Sequence, residues 1–166
     1  MQDSDHAVMD FDLPNEAATA ELAERLAGVS GQRDVLALIG DLGTGKTSFA
    51  RAFVRAAGGG DEEVPSPTFT LLQTYENGPV PVFHFDLYRL KDPDEALELG
   101  IEDAFADGIT LIEWPDRLGA LLPPDRLDVT FSQGAGPDAR HARIQGHGYW
   151  RARVSDGLIG GIHNHV

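Results

Sequence analysis

An α/β fold on a mostly parallel sheet is the class this sequence predicts, and three observations carry it. Residues 35–39, Val-Leu-Ala-Leu-Ile, are a continuous apolar run of the kind a strand shows when both faces are covered, and 109–112, Ile-Thr-Leu-Ile, give a second buried-strand pattern. Segments around and between them place apolar residues at helical spacing. A glycine-rich loop, residues 40–47, leaves the carboxyl end of the first run and opens into one of those helical segments.

Taken in order, residues 8–13 alternate loosely and predict a short strand ended by Pro14. Asn15 is a helix cap, and Ala18, Leu22, Leu26 and Val29 recur on one face until Gly28 and Gly31 close the helix. The helix after the glycine-rich loop gathers Phe49, Ala50, Phe53, Val54 and Ala57 on one side, and Gly58-Gly59-Gly60 stops it. Residues 68–76 are rich in β-formers, Asn77-Gly78 signals a hairpin turn, and residues 80–85 return as the second, antiparallel strand. Asp92-Pro93-Asp94-Glu95 supplies a cap, a first-turn proline and a third-position glutamate for a helix running towards Phe105 with a break at Gly100. Strand 109–112 delivers Glu113 and Trp114 to its carboxyl end. Residues 118–122 fit a short helix, 127–131 a strand, and 142–145 a weaker strand; no pattern is legible from Gly146 onward.

The chain of 166 residues fits one domain spanning residues 1–166, with a flexible tail expected within 147–166. It contains no cysteine, so a metal must be held by oxygen or histidine, and His141, His147, His163 and His165 are too irregularly spaced for zinc. No apolar stretch approaches a membrane span, the first six residues lack a secretory pattern, and cytoplasm is the expected compartment. A net charge of −14, with Lys46 and Lys91 the only lysines, repels nucleic-acid backbones, so any nucleic acid is expected to be held by another subunit.

Gly40-Asp41-Leu42-Gly43-Thr44-Gly45-Lys46-Thr47 matches G-x-x-x-x-G-K-[ST] at every fixed position. Its glycines let successive backbone N–H groups turn toward phosphate oxygens, Lys46 adds a charge for the β and γ phosphates, and Thr47 offers a hydroxyl to Mg²⁺. The loop and the start of its helix, residues 41–48 through Ser48, are therefore the expected ATP-binding segment of a three-layer P-loop NTPase fold with an antiparallel hairpin. Neither lysine follows an asparagine, so the guanine-reading Asn-Lys-x-Asp motif is absent and ATP is the expected triphosphate. Two acids at strand ends, Asp86 and Glu113, are the candidates to hold the metal or polarise an attacking water, with Lys46, Asp86 and Glu113 forming the expected catalytic set. Ser66-Pro67-Thr68 lies where nucleotide hydrolases carry switch segments, with an ordinary capped turn as the alternative. His84 reads as a packed or hydrogen-bonded histidine rather than a proton carrier, and Arg89 as a phosphate contact or a partner of local acids.

Four segments in order, Gly-Asp-Leu-Gly-Thr-Gly-Lys-Thr at 40–47, Val-Pro-Ser-Pro-Thr-Phe at 64–69, His-Phe-Asp-Leu-Tyr-Arg at 84–89 and Leu-Ile-Glu-Trp-Pro at 111–115, closely resemble the bacterial TsaE (YjeE) family over roughly residues 10–131. The resemblance implies a small ATPase that acts with the TsaB and TsaD proteins in making threonylcarbamoyladenosine at position 37 of tRNA. It implies phosphate and magnesium contacts from Lys46 and Thr47, acids Asp86 and Glu113 at the metal and water, a switch-like loop at 66–69, and a tryptophan, Trp114, beside the catalytic acid. TsaD with TsaB would transfer the threonylcarbamoyl group, while this chain binds at their interface and resets the complex by hydrolysis, meeting tRNA only indirectly. Two other readings stay open: a small-molecule kinase with Arg140, Arg143, Arg151 and Arg153 as its arginine cluster, and a nucleotide-dependent binding switch without useful turnover.

Overall fold

Among the described residues, seven strands form one sheet in the order β1-β7-β6-β2-β5-β4-β3. The computed structural model describes residues 7–41, 43–59 and 71–155. Its strands are β1 (Val8–Leu13), β2 (Val35–Ile39), β3 (Leu72–Tyr75), β4 (Val82–Asp86), β5 (Ile109–Glu113), β6 (Arg126–Gln133) and β7 (Arg140–His147). β6, β2, β5 and β4 are mutually parallel and occupy the centre, while β3 pairs antiparallel with β4 and β7 pairs antiparallel with both β6 and β1. The expected α/β class with a mostly parallel core and an antiparallel hairpin is what the chain adopts.

The helices are α1 (Glu16–Gly28), α2 (Lys46–Val54), α3 (Pro93–Glu98), α4 (Ile101–Asp107) and α5 (Trp150–Ser155), with a π turn at Arg55–Gly59 and a 3₁₀ segment at Pro115–Leu121. Alternation along β2 divides the core in two. Leu36 and Leu38 join Leu22, Leu26, Phe49 and Phe53 of α1 and α2 on one face, and Val35 joins Phe85, Ala96, Ile101, Ala104 and Leu118 on the other. Helices thus cover both faces in three layers, which is why β2 and β5 are buried along their length without alternation.

Local chemistry sets most boundaries. Asn15 caps α1 by accepting the Ala18 N–H at 2.9 Å, and Asp92 and Glu95 form a reciprocal capping box at α3. Gly100, at φ 84°, separates α3 from α4 where the sequence predicts the break. The β3–β4 hairpin forms, but its connection runs over residues 76–81 and not through a two-residue turn, and β4 begins at Val82, beyond Pro79 and Pro81. Backbone of Ala57 and Gly58 presses against Gly78 with no room for a Cβ, so this glycine answers a packing demand at the end of α2.

Three elements depart from the sequence reading. β7 extends well past 142–145, the short helix expected at 118–122 is a 3₁₀ segment beginning at Pro115, and α5 forms where no pattern was legible. Gly146 is the physical reason strand and helix were hidden: a Cβ there would lie 2.6 Å from the Trp150 carbonyl oxygen. A glycine that weakens strand propensity is needed for α5 to fold back onto β7. Trp150 and Val154 then enter the core, and Asp34 anchors the helix by accepting from Arg153 at 2.7 Å and from the Tyr149 hydroxyl at 2.9 Å.

Candidate functional site

The glycine-rich loop begins at the end of β2, and at Gly40, Gly43 and Gly45 its backbone takes positive φ angles that side chains rarely adopt. Gly40 has φ 149°, and a Cβ there would meet the Thr44 Oγ1 at 2.7 Å and the Phe131 carbonyl oxygen at 2.8 Å. Gly45, at φ 107°, sits immediately before the first turn of α2. Thr44 closes the loop by donating its hydroxyl to the Asp41 carbonyl at 2.6 Å. The free N–H groups of the first turn of α2 therefore face the loop with the helix dipole behind them.

Lys46 opens α2 and is 4% exposed. Its ammonium donates to the Gly40 carbonyl at 2.6 Å and lies 4.0 Å from the centroid of the Trp114 ring. Burial lowers the Lys46 pKa, while the carboxylates of Glu113, Asp86, Asp41 and Asp116 act in the opposite direction and favour the charged form. The side chain is thus held over the loop by groups that a bound anion can replace.

The two acids arrive on adjacent parallel strands in matching register, Asp86 of β4 opposite Glu113 of β5. Parallel neighbours are about 4.8 Å apart, so two carboxylates at one rung repel unless a cation lies between or beside them. Both are buried, at 6% and 3% exposure. Asp86 Oδ1 accepts the Tyr88 N–H at 3.1 Å, and Glu113 Oε2 meets His84 Nε2 at 2.8 Å. Beyond Glu113, Trp114 takes a left-handed φ of 61° before Pro115, and its ring packs 4.9 Å from that of Tyr88.

These groups line one cleft of about 270 Å³: Gly43, Gly45, Lys46, Thr47 and Ser48 from the loop side, Asp86, Glu113 and Trp114 from the strand ends, and Tyr88 and Arg140. A second cavity of about 410 Å³ shares Gly45, Ser48 and Arg140 with it and continues to Asn15 and Thr19 of α1. Donors offered by Thr47, Asp86 and Glu113 are all oxygen, the set that suits a hard divalent cation such as Mg²⁺. Asp41 and Thr44 belong to the loop without lining the cleft, and Leu42 and the segment 66–69 lie outside the described residues.

Arg140 is the residue that sequence reasoning misplaced. Proximity in sequence groups it with Arg143, Arg151 and Arg153, yet Arg143 pairs with Asp10 and Arg153 with Asp34, away from the cleft. Arg140 instead reaches the glycine-rich loop from β7, donating to the Gly43 carbonyl at 3.1 Å. No local pattern marks it, because the pairing of β7 with β6 brings it there.

A protein-family model described as "Threonylcarbamoyl adenosine biosynthesis protein TsaE" matches residues 13–142. The chain belongs to the TsaE family. It is 44% identical over 119 residues to a tRNA threonylcarbamoyladenosine biosynthesis protein TsaE of Rickettsia felis, covering 72% of this chain and 70% of that one. A protein of the same description from Bacillus subtilis is 38% identical over 127 residues, covering 76% and 78% of the two chains. The crystal structure of Bacillus subtilis YdiB superposes with a TM-score of 0.77 at 27% identity, covering 94% of this chain and 97% of that one. The family match runs past residue 131 into β7 and so includes Arg140, whereas α5 lies beyond it. Among the described residues, no helix is long and apolar enough to cross a membrane.

Proposed function

We propose that this TsaE-family chain is the ATP-binding and ATP-hydrolysing subunit of the cytoplasmic machinery that makes N6-threonylcarbamoyladenosine at position 37 of tRNA, acting with TsaD and TsaB. The observation that carries the reading is the meeting of Lys46 and Thr47 with Asp86 and Glu113 in one cleft, on a chain of this family. The triphosphate lies along residues 41–48, where loop amides and the start of α2 accept its charge. Lys46 exchanges the Gly40 carbonyl for phosphate oxygens, and the adjoining cavity between α1 and Arg140 has room for the nucleoside.

Thr47, Asp86 and Glu113 are the residues to hold Mg²⁺, which when bound neutralises phosphate charge. Glu113 orients the attacking water and draws on its proton as the water oxygen bonds to the γ phosphorus and ADP departs. Lys46 and Arg140 offset the charge that develops on the phosphate oxygens. An acidic chain of net charge −14 is ill-suited to gripping tRNA, which supports leaving the nucleic acid and the transfer chemistry to TsaD and TsaB.

The kinase reading loses its support with the dispersal of Arg143 and Arg153 to Asp10 and Asp34. Phosphate release measured with and without purified TsaB and TsaD tests the proposal: partner-stimulated release is expected, and the absence of both stimulation and a complex would sink it. Cells depleted of the protein should in parallel yield tRNA lacking the modified adenosine. A Glu113→Gln chain that binds ATP yet sustains tRNA modification in full would favour a binding switch.

A further inference from the structure

We infer that His84 is a positioning residue for Glu113, holding the carboxylate in the orientation that water activation needs; the inference rests on the ATPase reading above. His84 is fully buried in β4, on the same sheet face as Asp86 two residues on. Its Nε2 lies 2.8 Å from Glu113 Oε2, with the side chains 1% and 4% exposed.

The chemistry of the two groups sets the direction of this bond. An ionised carboxylate only accepts, so the imidazole must donate through Nε2–H. Nδ1 has no hydrogen-bond partner among the described residues.

An apolar residue would fill this position in a central strand without the orphaned Nδ1, but it would leave the buried Glu113 Oε2 without its donor. Val82, on the same face of β4 two residues earlier, is such a residue. What the imidazole adds is a donor fixed on a rigid strand, aimed at one oxygen of Glu113, with Oε1 left outside that bond. A carboxylate free to rotate about its side-chain torsions would spend much of its time out of line with the γ phosphorus, and a misplacement of about 1 Å costs on the order of 100-fold in rate.

The test uses the full chain with Mg²⁺ and ATP, comparing His84→Phe, His84→Leu and His84→Gln with wild type. Phe keeps a planar ring, Leu keeps apolar bulk, and Gln alone restores an N–H at comparable reach. The expected result is a kcat about 10- to 100-fold lower for Phe and Leu, with ATP affinity by calorimetry within about twofold of wild type, and substantial recovery of kcat in Gln. A merely structural role would move Tm and ATP affinity with kcat, and would not single out the donor. Wild-type kcat in Phe or Leu, or a Gln chain as slow as they are, overturns the inference. Should only Gln fold, a kcat close to wild type supports it and one as low as Glu113→Gln refutes it. Two further outcomes keep the two readings apart: a wild-type chain that hydrolyses no ATP, alone or with TsaB and TsaD, defeats the ATPase reading, whereas an inactive Glu113→Gln beside a fully active His84→Phe defeats only the role of His84.

Discussion

Glu113→Gln isolates the charge at the end of β5 from everything else that residue does. Glutamine has the same length and branching, and its amide oxygen accepts the His84 Nε2–H as the carboxylate does at 2.8 Å, so the packing at 3% exposure is kept. Removing one of two carboxylates at a shared rung also relieves repulsion with Asp86, and stability should change by no more than about 1 kcal/mol, or about 2–4 °C in Tm. On the proposed mechanism the loss is of the base for the attacking water and of one charge offered to Mg²⁺, which Thr47 and Asp86 still hold. General-base catalysis contributes about 10²- to 10⁴-fold, equivalent to about 2.7–5.5 kcal/mol of barrier at 1.36 kcal/mol per tenfold. Single-turnover phosphate release reads the chemical step, and calorimetry with Mg²⁺ and ATP reads binding. The expected pattern is retained binding with release at least about 100-fold slower. A rate within tenfold of wild type would show that Glu113 does not act on the water.

Lys46→Ala should act on the other quantity: losing a charge-assisted contact of about 1.5–3 kcal/mol weakens ATP binding by about 10- to 150-fold, and titration calorimetry showing unchanged affinity would remove Lys46 from the phosphate site. Gly40→Ala places a Cβ within 2.8 Å of both Thr44 Oγ1 and the Phe131 carbonyl oxygen at a φ of 149°, so ATP binding and Tm should both fall, and a variant with unaltered binding would mean the loop tolerates reshaping. Burial together with the bond to Asp34 pushes the Tyr149 pKa up to about 12 from its ordinary 10. A raised folded-state value stabilises the protonated hydroxyl, so this contribution is complete below pH 10 and is lost as pH rises through 12. Tyr149 is 42% exposed, and solvent screening holds its worth to about 1 kcal/mol. Urea melts of wild type and Tyr149→Phe should therefore differ at pH 8 and converge as pH rises from 10 to 12, and an equal gap at pH 8 and pH 12 would break the link to Asp34.

Much of this molecule was readable before folding because its signals are local. The buried runs in β2 and β5, the caps at Asn15 and Asp92, the break at Gly100 and the phosphate-loop pattern each depend on residues within a few positions of one another. Strand ends carrying Asp86 and Glu113 were recognisable for the same reason. Their shared rung was not, since register between β4 and β5 is a property of two segments more than twenty residues apart in sequence.

Sequence by itself determined the α/β class, where along the chain the central strands and helices fall, the glycine loop and the two acids at strand ends, because periodicity, capping and glycine chemistry act over one or two turns of chain. Only the tertiary structure decided that β7 runs between β6 and β1, that Arg140 touches the loop while Arg143 and Arg153 turn elsewhere, that Gly146 makes room for α5, and that His84 grips Glu113. Each of those is a contact between distant segments, selected by burial and polar pairing across the sheet, and no short stretch of residues encodes it alone.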